Sequence, residues 1–482
     1  MKKTIQISIY LFFTLFLYSC STELPVEYQT EAELPILSIN KSNLTKRPGD
    51  GKFDALGDGY DITGEYANPS SVRNTVIDIA KFKAENPDRF YEDNLFESEY
   101  KEEYAENALI YSKILSNKLT STNEYQAFGK TISTVFGNSS GTTSKFDGKY
   151  IYGSYNITIK HKRIWLNTTS TVLMNYLNPT FIEDINTFTP ETIVSRYGTH
   201  VLLDIYLGAK LEALFQCETL NIDRTLAARI GIKTSMNEVF GIDDEQNIDI
   251  SLKNQNKYAK LSYKTRGGDP TKSLVGQVDL DQGSPRTIDP APWQSTATSN
   301  YSTIVDFGPD TGDKEAGLVS IYNFVSDPVK KAALKAYVDQ YLIDNGVNME
   351  YKAIPIYRYY IGTGDHFYTQ KSTSPPNYIS EGIEFYAFNY KVPNTVPIYR
   401  YYCALKDDHF YSKSSVCPPY YVSEGIEFYA YENQAPNTIP IYRYYVDFGK
   451  GKFADHFYSR SPITPIGYAK EGIEFYAYPT AN

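Results

Sequence analysis

Histidine occurs five times in 482 residues, cysteine and methionine four times each, and tryptophan twice. No Cys-x-x-Cys or Cys/His spacing links these few ligands, so no zinc-site pattern is present, and four cysteines do not make a disulfide framework. No metal or cofactor is therefore expected. Basic residues are outnumbered, 47 Lys and Arg against 57 Asp and Glu, for a formal charge of −10. Nucleic-acid binding needs a concentrated basic face and is not expected. No His-Glu-x-x-His motif occurs. Long apolar runs are missing after the N-terminus, so no later segment reads as a membrane-spanning helix. The chain does hold 45 tyrosines.

The N-terminus has its own pattern. Lys2 and Lys3 precede an almost unbroken apolar run from Ile5 to Tyr18. The run is shorter than the ~20 residues of a membrane span and fits a secretory signal peptide. It ends Leu17-Tyr18-Ser19-Cys20, which resembles a bacterial lipobox and makes Cys20 the lipidation site. The expected localisation is exported: an outer-membrane-anchored lipoprotein, surface-exposed, vesicle-borne or secreted. Residues 1–20 read as the signal peptide and the polar stretch 21–45 as a tether.

From Gly51 the chain becomes globular. Helical spacing is read over residues 70–117, in "SVRNTVIDIAKF", with Ser71 as cap, and in "YAENALIYSKIL". Period-two alternation follows in "SYNITIKHK", "NIDISLK" and "YAKLSYK", with Leu202 to Phe215 as a further extended stretch. "SDPVKKAALKAYVDQYLIDNG" reads as a helix capped by Ser326 or Asp327, with Pro328 in its first turn and Gly346 as its stop. It closes a domain placed at 46–346.

Residues 350–482 repeat themselves three times. "PIYRYY", "DHFY" and "GIEFYA" recur, with arginines at 358, 400 and 443. A unit of this size cannot bury its own apolar face, so the three share a core. Three strands per unit, with a fourth around Tyr378, Tyr421 and Tyr468, predict a three-fold all-β module. A β-trefoil is the first choice and a prism or short propeller fragment the second. His366, His409 and His456 each follow an aspartate and read first as a repeated internal polar lock. A ligand-contact reading adds Tyr357, Tyr399, Tyr442, Arg358, Arg400 and Arg443, because exposed tyrosine faces stack on sugar rings. Cys403 and Cys417 belong to the second unit alone, and a local disulfide between them stays open.

Tyr197-Gly198-Thr199-His200, followed after Val201 and six residues by Gly208, resembles the signature of the membrane attack complex/perforin family (MACPF). Val201 stands where the family has an aromatic residue, and Ala209 replaces its second glycine. The turn Gly267-Gly268-Asp269-Pro270 resembles one common in bacterial members. The resemblance implies an α+β fold: a bent, twisted four-stranded antiparallel sheet flanked by helical clusters. It also implies that two of these clusters refold into membrane hairpins within a ring-like homo-oligomer. The two segments are placed at Glu124–Lys160 and Glu218–Ser262. In the second, Arg229, Gly231 and Lys233 alternate with Ile230, Ile232 and Thr234, and the acids of Ile242–Asn247 fit only a hairpin tip. A lipobox joined to this domain resembles the antimicrobial MACPF lipoproteins of Bacteroidales. The expected function is a pore-forming antibacterial toxin that docks through its C-terminal module on a target-cell surface glycan or outer-membrane protein. The alternative is a non-lytic surface lipoprotein for adhesion or glycan capture. His200 with Asp204, over a dozen ångströms apart at ~3.3 Å per strand residue, makes a poor acid–base pair, and no enzyme is expected. Gly198 and Gly208 read as hinge residues of the sheet.

Overall fold

The computed structural model describes residues 53–118, 127–136, 145–242, 253–282, 287–309, 316–362, 364–449 and 453–482. Contacts divide the chain into Met1–Thr45 and Lys46–Asn482. Cys20, the tether, the acids at 243–245 and all but Lys253 of the alternating stretch 247–253 lie outside the described residues.

The second unit opens with β1 (Asp58–Tyr60) and β2 (Val72–Thr75), then helix α1 (Ile79–Glu85), and then β3 (Phe90–Ala105), a 16-residue strand. This corrects the helical reading of 70–117. Helix is confined to α1 and to α2 (Ala108–Ser116), capped by the side chains of Asp78 and Asn107. Ser71 instead ends a short 3-10 turn. After α3 (Lys130–Phe136) and β4 (Lys145–Asp147) comes β5 (Tyr150–Leu166). Helices α4 (Ser170–Leu173), α5 (Pro179–Thr187) and α6 (Pro190–Tyr197) lead into β6 (His200–Leu202) and β7 (Asp204–Thr219). The 17-residue α7 (Arg224–Phe240), β8 (Asn256–Arg266) and β9 (Val275–Asp279) follow. Then come α8 (Ala291–Gln294), β10 (Thr303–Phe307), β11 (Leu318–Ser320), α9 (Pro328–Asp344) and β12 (Asn348–Glu350). Asp327 caps α9, with Pro328 in its first turn. None of the described helices is long and apolar enough to cross a membrane.

The large sheet runs β3-β5-β7-β8-β9, all antiparallel, and β10 also pairs with β7. The four expected strands are thus its long members, extended by two short ones. Two insertions sit between neighbouring strands: residues 106–149, which include α2 and α3, join β3 to β5, and residues 220–255, which include α7, join β7 to β8. The expected segment boundaries change accordingly. Tyr150–Lys160 already belongs to β5, and the ends of the second stretch to β7 and β8. A small sheet, β11-β6-β1-β2, carries His200 of the signature, whereas Gly208 lies on β7 of the large sheet.

The repeats form β13 (Ile354–Tyr360), β14 (His366–Thr369) and β15 (Ile379–Ala387), then β16 (Thr395–Cys403), β17 (Asp408–Ser412) and β18 (Val422–Tyr431), then β19 (Ile439–Asp447), β20 (Ala454–Ser459) and β21 (Ala469–Ala477). In each unit the first strand is central. The units therefore have three strands each. Tyr378, Tyr421 and Tyr468 stand in turns closed onto prolines, so the twelve strands of a full trefoil are not reached. Ile356, Ile398 and Ile441 and Phe385, Phe428 and Phe475 fill one shared core. At its centre the phenols of Tyr368, Tyr411 and Tyr458 form a closed cycle. Each hydroxyl donates to the backbone carbonyl of the next tyrosine, at 2.6–2.7 Å, and accepts from that tyrosine's N–H at 2.8 Å.

Candidate functional site

Helix α6 stops at Gly198, whose φ of +72° suits glycine and where a Cβ would lie 2.5 Å from the Tyr60 carbonyl carbon. The released chain pairs at once with β1. The Thr199 N–H donates to the Tyr60 carbonyl at 3.0 Å, and the Thr199 hydroxyl accepts from the Ile62 N–H at 3.2 Å. His200 is buried. Its Nδ1 lies 3.0 Å from the Thr199 hydroxyl and its Nε2 3.4 Å from that of Ser320. Burial pulls its pKa down to about 4 against the pull of Asp61. Tyr197 donates to Asp184 at 2.8 Å. The reading of His200 and Asp204 along a single strand is corrected: the chain changes sheets at Leu203. The Asp204 carboxylate is held by Arg163 at 3.0 and 2.7 Å. A Gly-x-Ser-x-Gly pentapeptide occurs at 137–141, outside the described residues.

Gly208 sits where β5 bulges between Lys160 and Lys162. A Cβ there would fall 1.8 Å from the Ile159 carbonyl oxygen, so only glycine lets the strands meet. Thr303 of β10 pairs with it on its other side. Gly267 packs over it as well, where a Cβ would meet the Gly208 carbonyl at 2.5 Å. Gly267 and Gly268 both have positive φ, and the Trp293 indole donates to the Gly267 carbonyl at 2.9 Å. Asp269 caps the short turn that follows, accepting from the Thr271 N–H at 2.9 Å. The signature glycine and the Gly-Gly-Asp turn, 59 positions apart by their numbering, thus meet at one bulge of the large sheet. A bulge bends its strand and increases its twist.

Beneath the first segment lies a buried ionic network that sequence reasoning missed. Lys118, two residues past α2, pairs with Glu103 of β3. Lys210 and Glu212 of β7 are buried, with Lys264 and Arg266 of β8 at 3.6 and 3.7 Å from Glu212. Burial lowers the Lys210 pKa to about 8. Burial raises that of Glu212, but Lys210, Arg266 and Lys264 outweigh it and leave it at about 2. The signal was present: two opposite charges two residues apart in the otherwise apolar "LGAKLEALF" point to one face of a strand.

A family model for the MAC/Perforin domain matches residues 46–351. The chain belongs to the MAC/Perforin family. A second model, for a domain of unknown function (DUF5648), matches 334–416 and 355–478. Similar solved structures include a MAC/Perforin-domain protein of Bacteroides thetaiotaomicron, at 19% identity and TM-score 0.48 over 68% of this chain and 69% of that one. GNIP1Aa of Chromobacterium piscinae gives 15% and 0.47 over 90% and 82%. A non-hemolytic pneumolysin of Streptococcus pneumoniae gives 10% and 0.23 over 47% and 43%. No curated protein matches.

The repeats appended to the MAC/Perforin domain place the other sequence-predicted residues. Asp365 receives the N–H and Nδ1 of His409, at 2.8 and 2.7 Å, and the hydroxyl of Tyr378 at 2.6 Å. Asp408 does the same for His456 and Tyr421, and Asp455 for His366 and Tyr468. Each aspartate thus reaches into the next unit. Ligand atoms of the three buried aspartates lie within 4.8 Å of one another, the one such trio among the described residues. Both oxygens of each are already engaged by these protein donors. Arg358, Arg400 and Arg443 are each held by two glutamates of their own unit. Of the candidate ligand contacts, Tyr357, Tyr399 and Tyr442 remain half-buried beside solvent. Cys403 is a buried thiol and Cys417 an exposed one.

Proposed function

We propose that the protein is an exported pore former without enzymatic activity. It is anchored through lipid on Cys20, docks on a target bacterium through its C-terminal module, assembles side by side into a ring and inserts two hairpins per copy. One observation carries this reading: the sequence of α7 has the pattern of a membrane strand. As a helix it is buried nearly all round, including Arg224 and Lys233. Taken at period two, Leu226, Ala228, Ile230, Ile232, Thr234, Met236 and Phe240 fall on one face, with Arg224 and Glu238 towards its two ends, and Thr225, Arg229, Gly231, Lys233, Ser235 and Asn237 fall on the other, together with Ala227 and Val239. One lipid-facing and one water-facing set is what a barrel strand needs.

The topology supports it. Both segments, 106–149 and 220–255, exceed the ~20 residues of a two-strand hairpin and join adjacent antiparallel strands, so unwinding them would lengthen strands already paired. Closure into a barrel would then satisfy every backbone group. Side-by-side assembly is supported by charge. Strand β3, at one edge, exposes Glu92, Asp93 and Glu97 against Lys101, whereas β8, near the other, exposes Lys257 and Lys260 and carries no acid. A head-to-tail contact between unlike edges generates rings. Half-open tyrosines on the module fit a glycan partner.

The test is dye release from vesicles of phosphatidylethanolamine with phosphatidylglycerol, alongside killing of a panel of bacteria, with and without residues 350–482. Release and killing are expected from the full chain, with killing lost on truncation. Glycan binding with neither release nor killing would favour the adhesive alternative.

A further inference from the structure

Arg224 opens α7 and is 4% exposed. Its Nε donates to the Glu106 carbonyl at 3.0 Å, and its Nη2 reaches the carbonyls of Gly148, Lys149 and Tyr150 at 2.8, 3.1 and 3.2 Å. Glu106 is the first residue after β3, and Gly148 to Tyr150 lead into β5. One side chain of the second segment therefore ties together both ends of the first. Its guanidinium carbon lies 5.4 Å from the ring centroid of Tyr390, which is in the C-terminal module. Arg224 Nη1 is buried without a hydrogen-bond partner, and the Tyr390 hydroxyl is buried beside the Lys352 backbone.

The chain entering the module grips the first segment as well. β12 pairs in parallel with β4, with Asn348 opposite Lys145 and Glu350 opposite Asp147. The Gly148 N–H donates to the Glu350 carbonyl at 2.7 Å, and Lys145 pairs with Glu350 at 2.9 Å. A Cβ on Gly148 would lie 2.3 Å from the Tyr351 ring, and one on Gly129 would lie 3.0 Å from Val347. Tyr351 in turn packs against the cluster that holds Tyr390.

We infer that residues 347–351, Tyr390 and Arg224 form a catch, by which the C-terminal module holds both segments in their helical state and releases them together. The inference rests on the reading that these segments become hairpins. To lengthen β3 and β5, the chain at Glu106 and at Gly148–Tyr150 must straighten, which requires that the four carbonyl bonds of Arg224 and the β4–β12 pairing break. A buried cation is tolerated only while its hydrogen bonds hold. Lifting Tyr390 and β12 away admits water to Arg224 and removes the reason for its placement. Docking of the module on a target is then the event that loosens the catch.

Two measurements on the full chain test this. In the first, Lys145→Cys and Asn348→Cys are joined by a disulfide in a Cys417→Ser background, with Cys20 left in place as the lipid anchor. Dye release from the vesicles named above is expected to fall at least tenfold when oxidised and to return on reduction. Equal release in both states would overturn the catch. The second is hydrogen exchange without any membrane. Arg224→Gln and, separately, Tyr390→Leu are expected to speed exchange at least tenfold in both α2 and α7, leaving β14, β17 and β20 unchanged. Faster exchange in α7 alone, or in neither helix, would overturn it. If no variant releases dye, the pore reading falls, and the exchange result still decides whether the module restrains both segments.

Discussion

Thr234 and Asn237 offer a clean separation between the helix that exists and the strand it is proposed to become. On α7, Thr234 is half-buried and Asn237 is exposed, so lysine at either position should change the stability of the folded chain by less than about 1 kcal/mol. At period two they part company: Thr234 joins Ile230, Ile232 and Met236 on the lipid side, while Asn237 joins Gly231, Lys233 and Ser235 on the water side. A lysine on the lipid face of a barrel strand costs about 2–4 kcal/mol near the bilayer midplane, which is about 30-fold to 1,000-fold in an equilibrium or a rate. Because every copy in a ring carries the substitution, the cost is paid many times over in one pore. Thr234→Lys should therefore abolish dye release, while Asn237→Lys should leave it intact and shift the pore toward anions. Planar-bilayer conductance with reversal potentials reads both effects, and thermal unfolding confirms that the folded chains are equivalent. Equal release by the two variants, or loss confined to Asn237→Lys, would refute the strand assignment.

Two further predictions concern stability. The His200 pKa of about 4 lies below its ordinary value of 6.5. The folded chain thus holds fewer protons than the unfolded chain between these limits. The stabilisation is complete above pH 6.5 and is lost as pH falls toward 4, about 3 kcal/mol in all. Urea unfolding at pH 7 and pH 4.5 should show this loss, and His200→Gln should remove that part of the pH dependence. Asp408→Asn leaves a single acceptor oxygen for the donors of His456 and Tyr421. It should cost the module about 3 kcal/mol, read by calorimetry as earlier unfolding of all three repeats together.

The signature was legible because its glycines are required by local geometry: a positive φ at Gly198, and a backbone approach at Gly208 that excludes a Cβ. The closing helix was legible from Asp327 and Pro328, and the repeats from their self-similarity. Strand β3 was not. Its residues from Tyr91 to Ser98 are nearly all exposed, Phe96 at 94%, so no alternation of buried and open positions marks it. The segment boundaries failed for a related reason: "SYNITIKHK" alternates whether it belongs to a resident strand or to one still to form. Arg224 could not have been found from sequence, since its four acceptors are backbone carbonyls more than 70 positions upstream.

The tyrosine cycle at the heart of the repeats has a consequence for how such a module can evolve. Each phenol is pinned to the peptide of a neighbour, and the third returns to the first. A fourth copy gained by duplication would find no vacant partner, and a deletion would leave buried hydroxyls and amides unpaired. Copy number is thus fixed at three by closure, and diversification is channelled into the turns between strands, where Leu405, Val416, Tyr420 and Ile466 already differ from one unit to the next.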